Sequence, residues 1–295
     1  MAAMTHYAHG GLGLGGGRLA RNFAIDAHRL GDIGDPGDRD YGLSLSRLIE
    51  REIIPRLMAV HAAEPRQPLT EAPAIDADEI AAFAPLVMQI DADALLAHVE
   101  AILDRGVAVE TVMVDLLAPA ARLLGEYWED DRCDFVDVTM GLWRLQEVVH
   151  EIAARTPTGS AGPYRALFVS MPGDQHSFGA VVIDEVFRRG GWQTERISDA
   201  HTAALLKCAV DHHYDLIGLT ISCDCHIAPL PSIIAALRNV SCNPQVCIMV
   251  GGRVFSANPR LAREVGADGT ARDAKLALTL AEDLVRKRAW ETVSV

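Results

Sequence analysis

The sequence predicts a helical bundle followed by an α/β unit built on a parallel sheet. Three observations carry this. Between residues 43 and 158, apolar residues recur at the three- and four-residue spacing of amphipathic helices. From Tyr164 onward, short apolar runs alternate with helical patterns, which lays parallel strands in one sheet with helices on both faces. Residues 1–42 follow neither pattern.

Taken in order, residues 1–42 contain Gly10-Gly11, Gly13 and Gly15-Gly16-Gly17, then Gly31, Gly34 and Gly37 among Asp and Pro. Such a stretch buries too little to offset the entropy of ordering, so a disordered segment is expected. A phosphate-binding loop does not fit, since no strand precedes the glycines and no Gly-Lys-Ser/Thr follows them. The bundle, 43–158, opens with Leu45, Leu48, Ile49 and Ile53 at helical spacing, and Pro55 kinks or shortens that helix. The stretch from Glu64 to Pro73 carries Pro65, Pro68 and Pro73 and reads as a connection. Helices are then expected at 76–90, 91–105, 108–127 and 134–155, with Asp91 as a cap and Gly106 as a stop. The α/β unit, 163–290, has expected strands at 165–170, 192–197, 215–222 and 245–251 and a short one near 267–270. Helices are expected at 177–189, 200–212, 228–239, 257–265 and 272–288. Five strands joined in this way fit a flavodoxin-like, Rossmann-type sheet, which binds ligands beyond the carboxyl ends of its strands.

Composition narrows the function classes. No apolar run approaches the roughly 18 residues of a membrane span, and the amino terminus lacks a basic stretch followed by an apolar core. A cytoplasmic protein with no membrane association is therefore expected. Its six cysteines then read as reduced thiols. The net charge of −13 weighs against direct DNA binding, which needs basic surface. Arg286-Lys287-Arg288 is the one dense basic run and suits a helix carboxyl terminus.

The loop Met171-Pro172-Gly173-Asp174-Gln175-His176-Ser177-Phe178-Gly179 lies between the first expected strand and its helix. It places Asp174 and His176 at a strand's carboxyl end. Two further signals follow in order: Thr220 and Ser222 at the end of the third strand, and Gly251-Gly252 at the end of the fourth. In the bundle, Gly125-Glu126-Tyr127-Trp128 precedes the last helix. The pattern Asp-x-His-x-x-Gly in this setting resembles the cobalamin-binding modules of methionine synthase and of the light-sensing regulator CarH. The resemblance spans roughly residues 43–290.

That resemblance implies a five-stranded cobalamin-binding domain beneath a helical cap. His176 would be the lower axial ligand of cobalt, with Asp174 fixing its tautomer and orientation, as carboxylate partners of metal-bound histidines do. Ser177 and Gly179 belong to the same loop. Thr220, Ser222, Gly251 and Gly252 would line the slot for the nucleotide tail. Ser222 departs from the family's leucine at that position. Trp128 would cover the upper face of the cofactor, a role compatible with a place in the bundle core. The plain alternative for His176 is a loop histidine that caps the following helix. Cys223-x-Cys225-His226 has the residue types of a metal site but lacks a second ligand pair at zinc spacing.

Within the family, the bundle, the segment Ser46-Arg47-Leu48-Ile49-Glu50-Arg51-Glu52-Ile53-Ile54-Pro55-Arg56-Leu57 and the loop Gly173–Gly179 look like the AerR/PpaA antirepressors of photosynthesis genes. This implies a non-enzymatic, light-responsive regulator that binds adenosyl-, methyl- or hydroxocobalamin. Its partner would be a DNA-binding repressor of the CrtJ/PpsR type, with no sequence-specific DNA binding of its own. CarH carries a Glu-His pair whose histidine ligates cobalt after photolysis. Val138 and Thr139 stand at those positions, so that particular switch is absent. Two alternatives stay open: a corrinoid shuttle of a methyltransferase system, and a haem-based redox sensor in which His176 binds iron.

Overall fold

A computed structural model describes residues 74–156, 159–171, 177–198 and 201–293. The glycine-rich segment, the helix expected near Leu45–Ile53 and the loop residues Pro172–His176 lie outside the described residues. Those described fall within one unit, Thr70–Val295.

The helical part comprises α1 (Ala77–Gln89), α2 (Ala92–Asp104), α3 (Val109–Thr111), a π-helical turn (Val112–Leu117), α4 (Ala118–Glu129) and α5 (Phe135–Arg155). Local signals start and stop them. Asp76 and Asp91 each accept a hydrogen bond at 2.8 Å from the backbone three residues on, satisfying an amide that helix geometry leaves without a partner. Asp134 and Asp137 form a reciprocal capping box at the start of α5. Gly106, expected as a stop, has φ +86°. The 108–127 helix is continuous, but its middle is a π turn. Pro119 follows directly: its ring cannot donate and would collide with the carbonyl of Asp115 four residues back, and the wider turn relieves this.

The α/β part runs β1 (Arg165–Ser170), α6 (Phe178–Arg189), β2 (Gln193–Ile197), α7 (Thr202–Asp211), β3 (Leu216–Thr220), α8 (Leu230–Val240), β4 (Cys247–Gly251), α9 (Arg253–Ala257), α10 (Leu261–Glu264) and α11 (Ala274–Val293). The four strands are parallel in the order β2-β1-β3-β4. The expected fifth strand is reduced to a single bridge, Met249 to Gly269. Its pairing is interrupted because the Asp268 carboxylate, and not a backbone carbonyl, accepts from Ile248 N at 2.7 Å. The helix expected at 257–265 is shortened to α10, which starts after Pro259, and α9 forms ahead of it where no helix was expected.

One sheet face buries Leu167, Val169, Ile217, Leu219, Ile248 and Val250 under α7, α8 and α10. The other buries Ala166, Phe168, Leu216 and Met249 under α6 and α11. Helix α6 is shared. Phe187 packs on the sheet, while Phe178, Val181, Val182 and Val186 enter the bundle core. Polar ties close the same junction. Arg189 donates to Glu110 at 2.5 Å, and Lys275 donates to Asp115 at 2.8 Å and to Thr111 at 3.0 Å.

Candidate functional site

The order β2-β1-β3-β4 reverses direction between β1 and β3, so the crevice beyond their carboxyl ends is where such a sheet accepts a ligand. Ser170 ends β1 and is buried, only 2% exposed. Thr220, opposite it on β3, donates its hydroxyl to Ser170 Oγ and to Val169 O, both at 3.3 Å. Met171 N donates to Thr220 O at 3.1 Å, so the strand ends are stitched by backbone as well as by hydroxyls.

Gly251 and Gly252 close β4 in different ways. Gly252 has φ +111°, and a Cβ there would lie 1.9 Å from Ile221 O. Only glycine allows β4 to turn this tightly against the end of β3. Gly251 accepts from Ile221 N at 2.9 Å, and a Cβ added to it meets nothing within 4 Å. The same is true of Gly179 in the first turn of α6. Among the described residues, nothing fills the space beside either glycine.

The bundle reaches this rim from above. Gln146 on α5 lies 3.4 Å from Ser177 Oγ, which it meets through its side-chain amide. Glu129, at the end of α4, makes an exposed ion pair with Arg253 at 3.6 Å, directly after the glycine pair. Trp128 stands beside Glu129 and is 51% exposed, outside the bundle core. Phe135, Met140 and Trp143 on α5 are also exposed.

The structure thus gathers Ser177, Gly179, Thr220, Gly251 and Gly252 at the ends of β1, β3 and β4, with Ser222 two residues beyond β3. Asp174 and His176 lie outside the described residues. Among the described residues, no group of three or more His, Cys, Asp or Glu gathers to hold a metal ion, so Cys223, Cys225 and His226 form no such cluster. Ser170 and Gln146 are additions that sequence reasoning passed over. A serine ending an apolar strand was a usable signal for Ser170. Gln146 is a half-buried polar residue of α5 and gave none.

The residues present are compatible with a cofactor that approaches the backbone closely and offers polar groups to the strand ends. Two glycines that leave space and a pair of linked hydroxyls supply close backbone approach and polar recognition at one strand-end slot. Ionisation at the junction is tuned separately. Burial resists the charge on Glu110 more than any single contact favours it, but the Arg189 hydrogen bond, a backbone hydrogen bond and the charges of Arg189 and Lys275 together outweigh it and lower the pKa of Glu110. Burial raises that of Glu185, against the pull of Arg188 and Arg189.

Comparison with known proteins agrees with this geometry. Residues 164–279 match a B12 binding domain, and residues 79–152 match a second B12 binding domain model that covers the helical part. Together they span well over half of the chain. A Rhodobacter capsulatus protein described as an uncharacterized 20.5 kDa protein in the bchF-crtJ intergenic region is 24% identical over 176 residues, 59% of this chain and 91% of that protein. The monomethylamine corrinoid protein of Methanosarcina barkeri superposes with a TM-score of 0.58 at 16% identity, over 71% of this chain and all of that one. Among the described residues, no helix is long and apolar enough to cross a membrane.

Proposed function

We propose, for a chain that belongs to the B12-binding domain proteins, that it is a light-responsive regulator of the AerR/PpaA type. The observation that carries this is similarity along nearly the whole length of a protein encoded between bchF and crtJ in Rhodobacter capsulatus, in a chain whose helical and α/β parts both match B12 binding domains. The reading has the regulator act on a DNA-binding repressor of the CrtJ/PpsR type. The acidic balance of −13 favours a protein partner over DNA.

A bound alkylcobalamin supplies a light-labile cobalt–carbon bond. His176 would hold the cofactor through its cobalt, and Asp174 would accept from the other ring nitrogen to keep one tautomer. Thr220 and Ser170 would present hydroxyls to the nucleotide tail, Gly251 would let it lie close to the backbone, and Gly252 would hold the tight turn beside it. Trp128, exposed beside this rim, would shield the bound cofactor from water. Loss of packing against Trp128 shifts the bundle between two populations that differ in partner affinity.

The test is titration of the purified protein with hydroxo- and adenosylcobalamin in the dark, followed by absorption spectra before and after illumination. Tight binding with a histidine-ligated spectrum that changes in light supports the reading. Tight binding with no light response favours a corrinoid shuttle, the alternative suggested by the fold shared with the monomethylamine corrinoid protein. Uptake of haem and not cobalamin overturns it. His176→Ala is expected to abolish tight binding, and unchanged affinity removes the ligand assignment. Trp128→Ala is expected to alter the preference among upper ligands.

A further inference from the structure

The cysteines differ sharply in exposure. Cys247 is buried, and burial pushes its thiol up to about 11. Cys133 and Cys208 are partly buried, and burial raises both. Such thiols carry little thiolate at neutral pH and react slowly. Cys242 is exposed in the loop that leads into β4, at the amino ends of the strands and away from the rim. Cys223 and Cys225 are both exposed and stand together immediately beyond β3.

Their backbone is folded for contact. Asp224–His226 form a 3₁₀ turn, and the Cys225 N–H donates to Cys223 Sγ at 3.3 Å. This sets the Cys223 sulfur against a nitrogen only two bonds from the Cys225 Cβ. Residues two apart in a tight turn lie within the roughly 4.4–6.8 Å Cα separation that a disulfide spans.

We propose that Cys223 and Cys225 form a dithiol–disulfide switch that sets how tightly the strand-end rim holds its cofactor. The oxidant is a low-molecular-weight disulfide such as oxidised glutathione. One cysteine thiolate attacks it, forming a mixed disulfide and releasing one glutathione thiolate. The second cysteine thiolate then displaces the other glutathione. Two protein thiols become one disulfide, one glutathione disulfide becomes two glutathione thiols, and the protons leave with those thiols.

The coupling follows from what lies two residues upstream. Ile221 N donates to Gly251 O at 2.9 Å, and Ile221 O occupies the space a Gly252 side chain would need. The backbone after β3 therefore cannot shift without moving the glycine pair. Closing the disulfide tightens the 223–225 turn and carries that strain to Ser222, Ile221 and the glycines. By linkage, a bound cofactor shifts the thiol–disulfide equilibrium by the same factor. This half of the proposal rests on the B12-binding reading.

The experiment equilibrates the full chain across a series of reduced-to-oxidised glutathione ratios, quenches with an alkylating agent and reads the masses. Hydroxocobalamin affinity is then measured for the fully reduced and fully oxidised forms. An internal disulfide is expected in the wild type and in Cys242→Ser, and in neither Cys223→Ser nor Cys225→Ser. The two redox forms of the wild type should differ in affinity by about 5- to 150-fold, the usual range of coupling between sites, with no such difference in either serine variant. Glutathione adducts or intermolecular disulfides alone, at every ratio, overturn the switch. So does an internal disulfide that leaves affinity unchanged. If the reduced protein binds no hydroxocobalamin, the function proposed above falls and the coupling falls with it, while the masses still decide whether the disulfide forms.

Discussion

The junction between bundle and sheet and the rim of strand ends are built from opposite materials. At the junction, α6 drives Val181, Val182 and Val186 into the bundle core, and Arg189 and Lys275 tie the two parts with ionic hydrogen bonds. At the rim stand glycines, a pair of linked hydroxyls, exposed thiols and an exposed tryptophan. Folding needs the first set. The second contributes little that folding requires, with one exception. The exception is Gly252, which makes it the sharpest test.

The largest effect is expected there. Gly252→Ala puts a Cβ 1.9 Å from a backbone oxygen at φ +111°, so backbone must move. A loss of about 4 kcal/mol or more is expected, in the range reserved for strain at special backbone positions. Urea denaturation reads it. A loss under about 1 kcal/mol would mean that the end of β3 yields easily, and the line between junction and rim would blur. Next comes a residue of the bundle core. Leu145 is fully buried on α5, and Leu145→Ala should cost about 2–5 kcal/mol in the same assay, with the cofactor preference unchanged in what still folds.

Gly251→Ala reverses the pattern. Its Cβ meets nothing within 4 Å, so stability should change by no more than about 0.5 kcal/mol. Hydroxocobalamin affinity should nonetheless fall at least about tenfold, because the methyl group enters the slot. Neighbouring glycines would thus separate stability from binding. Equal losses of stability at both positions would erase the comparison.

How far the sequence revealed this depends on the range of each interaction. Asp91 and Gly106 act within a turn of their own helix, and both were legible. The apolar runs of β1, β3 and β4 announced themselves, since strands buried on both faces need no alternation. The π turn did not. Val112, Met113, Val114, Leu116 and Leu117 are all buried, and a segment apolar all round gives periodicity nothing to measure. The fifth strand shrank because one carboxylate, Asp268, competes for a ladder amide, which no hydrophobic pattern records. That Thr220 and the glycine pair stand at the ends of β3 and β4 was legible through order and spacing. That Gly252 is sterically obligatory while Gly251 is open could not be read, because both are the same letter and only the approach of Ile221 separates them. Gln146 and Ser177 meet across 31 positions, a contact that is set by packing alone.

The smallest expected effect concerns two carboxylates at the junction that titrate in opposite senses. Glu110 has a lowered pKa in the folded state. Its share of stability is full above its ordinary value of 4.5 and is lost as pH falls through the lowered one. Glu185 is raised by burial, so the folded state holds its proton more tightly than the unfolded chain does. Stability then declines as pH rises from about 4.5 toward the raised value and stays reduced above it. Glu185→Gln removes that dependence. Relative to the wild type, the variant should gain stability as pH rises from 4 to 7, offset in part by loss of the 3.2 Å pair with the half-exposed Arg188. Urea midpoints collected at several pH values measure the difference directly. A difference that is flat with pH would mean that Glu185 is solvated after all, and that the junction is less dry than its valines suggest.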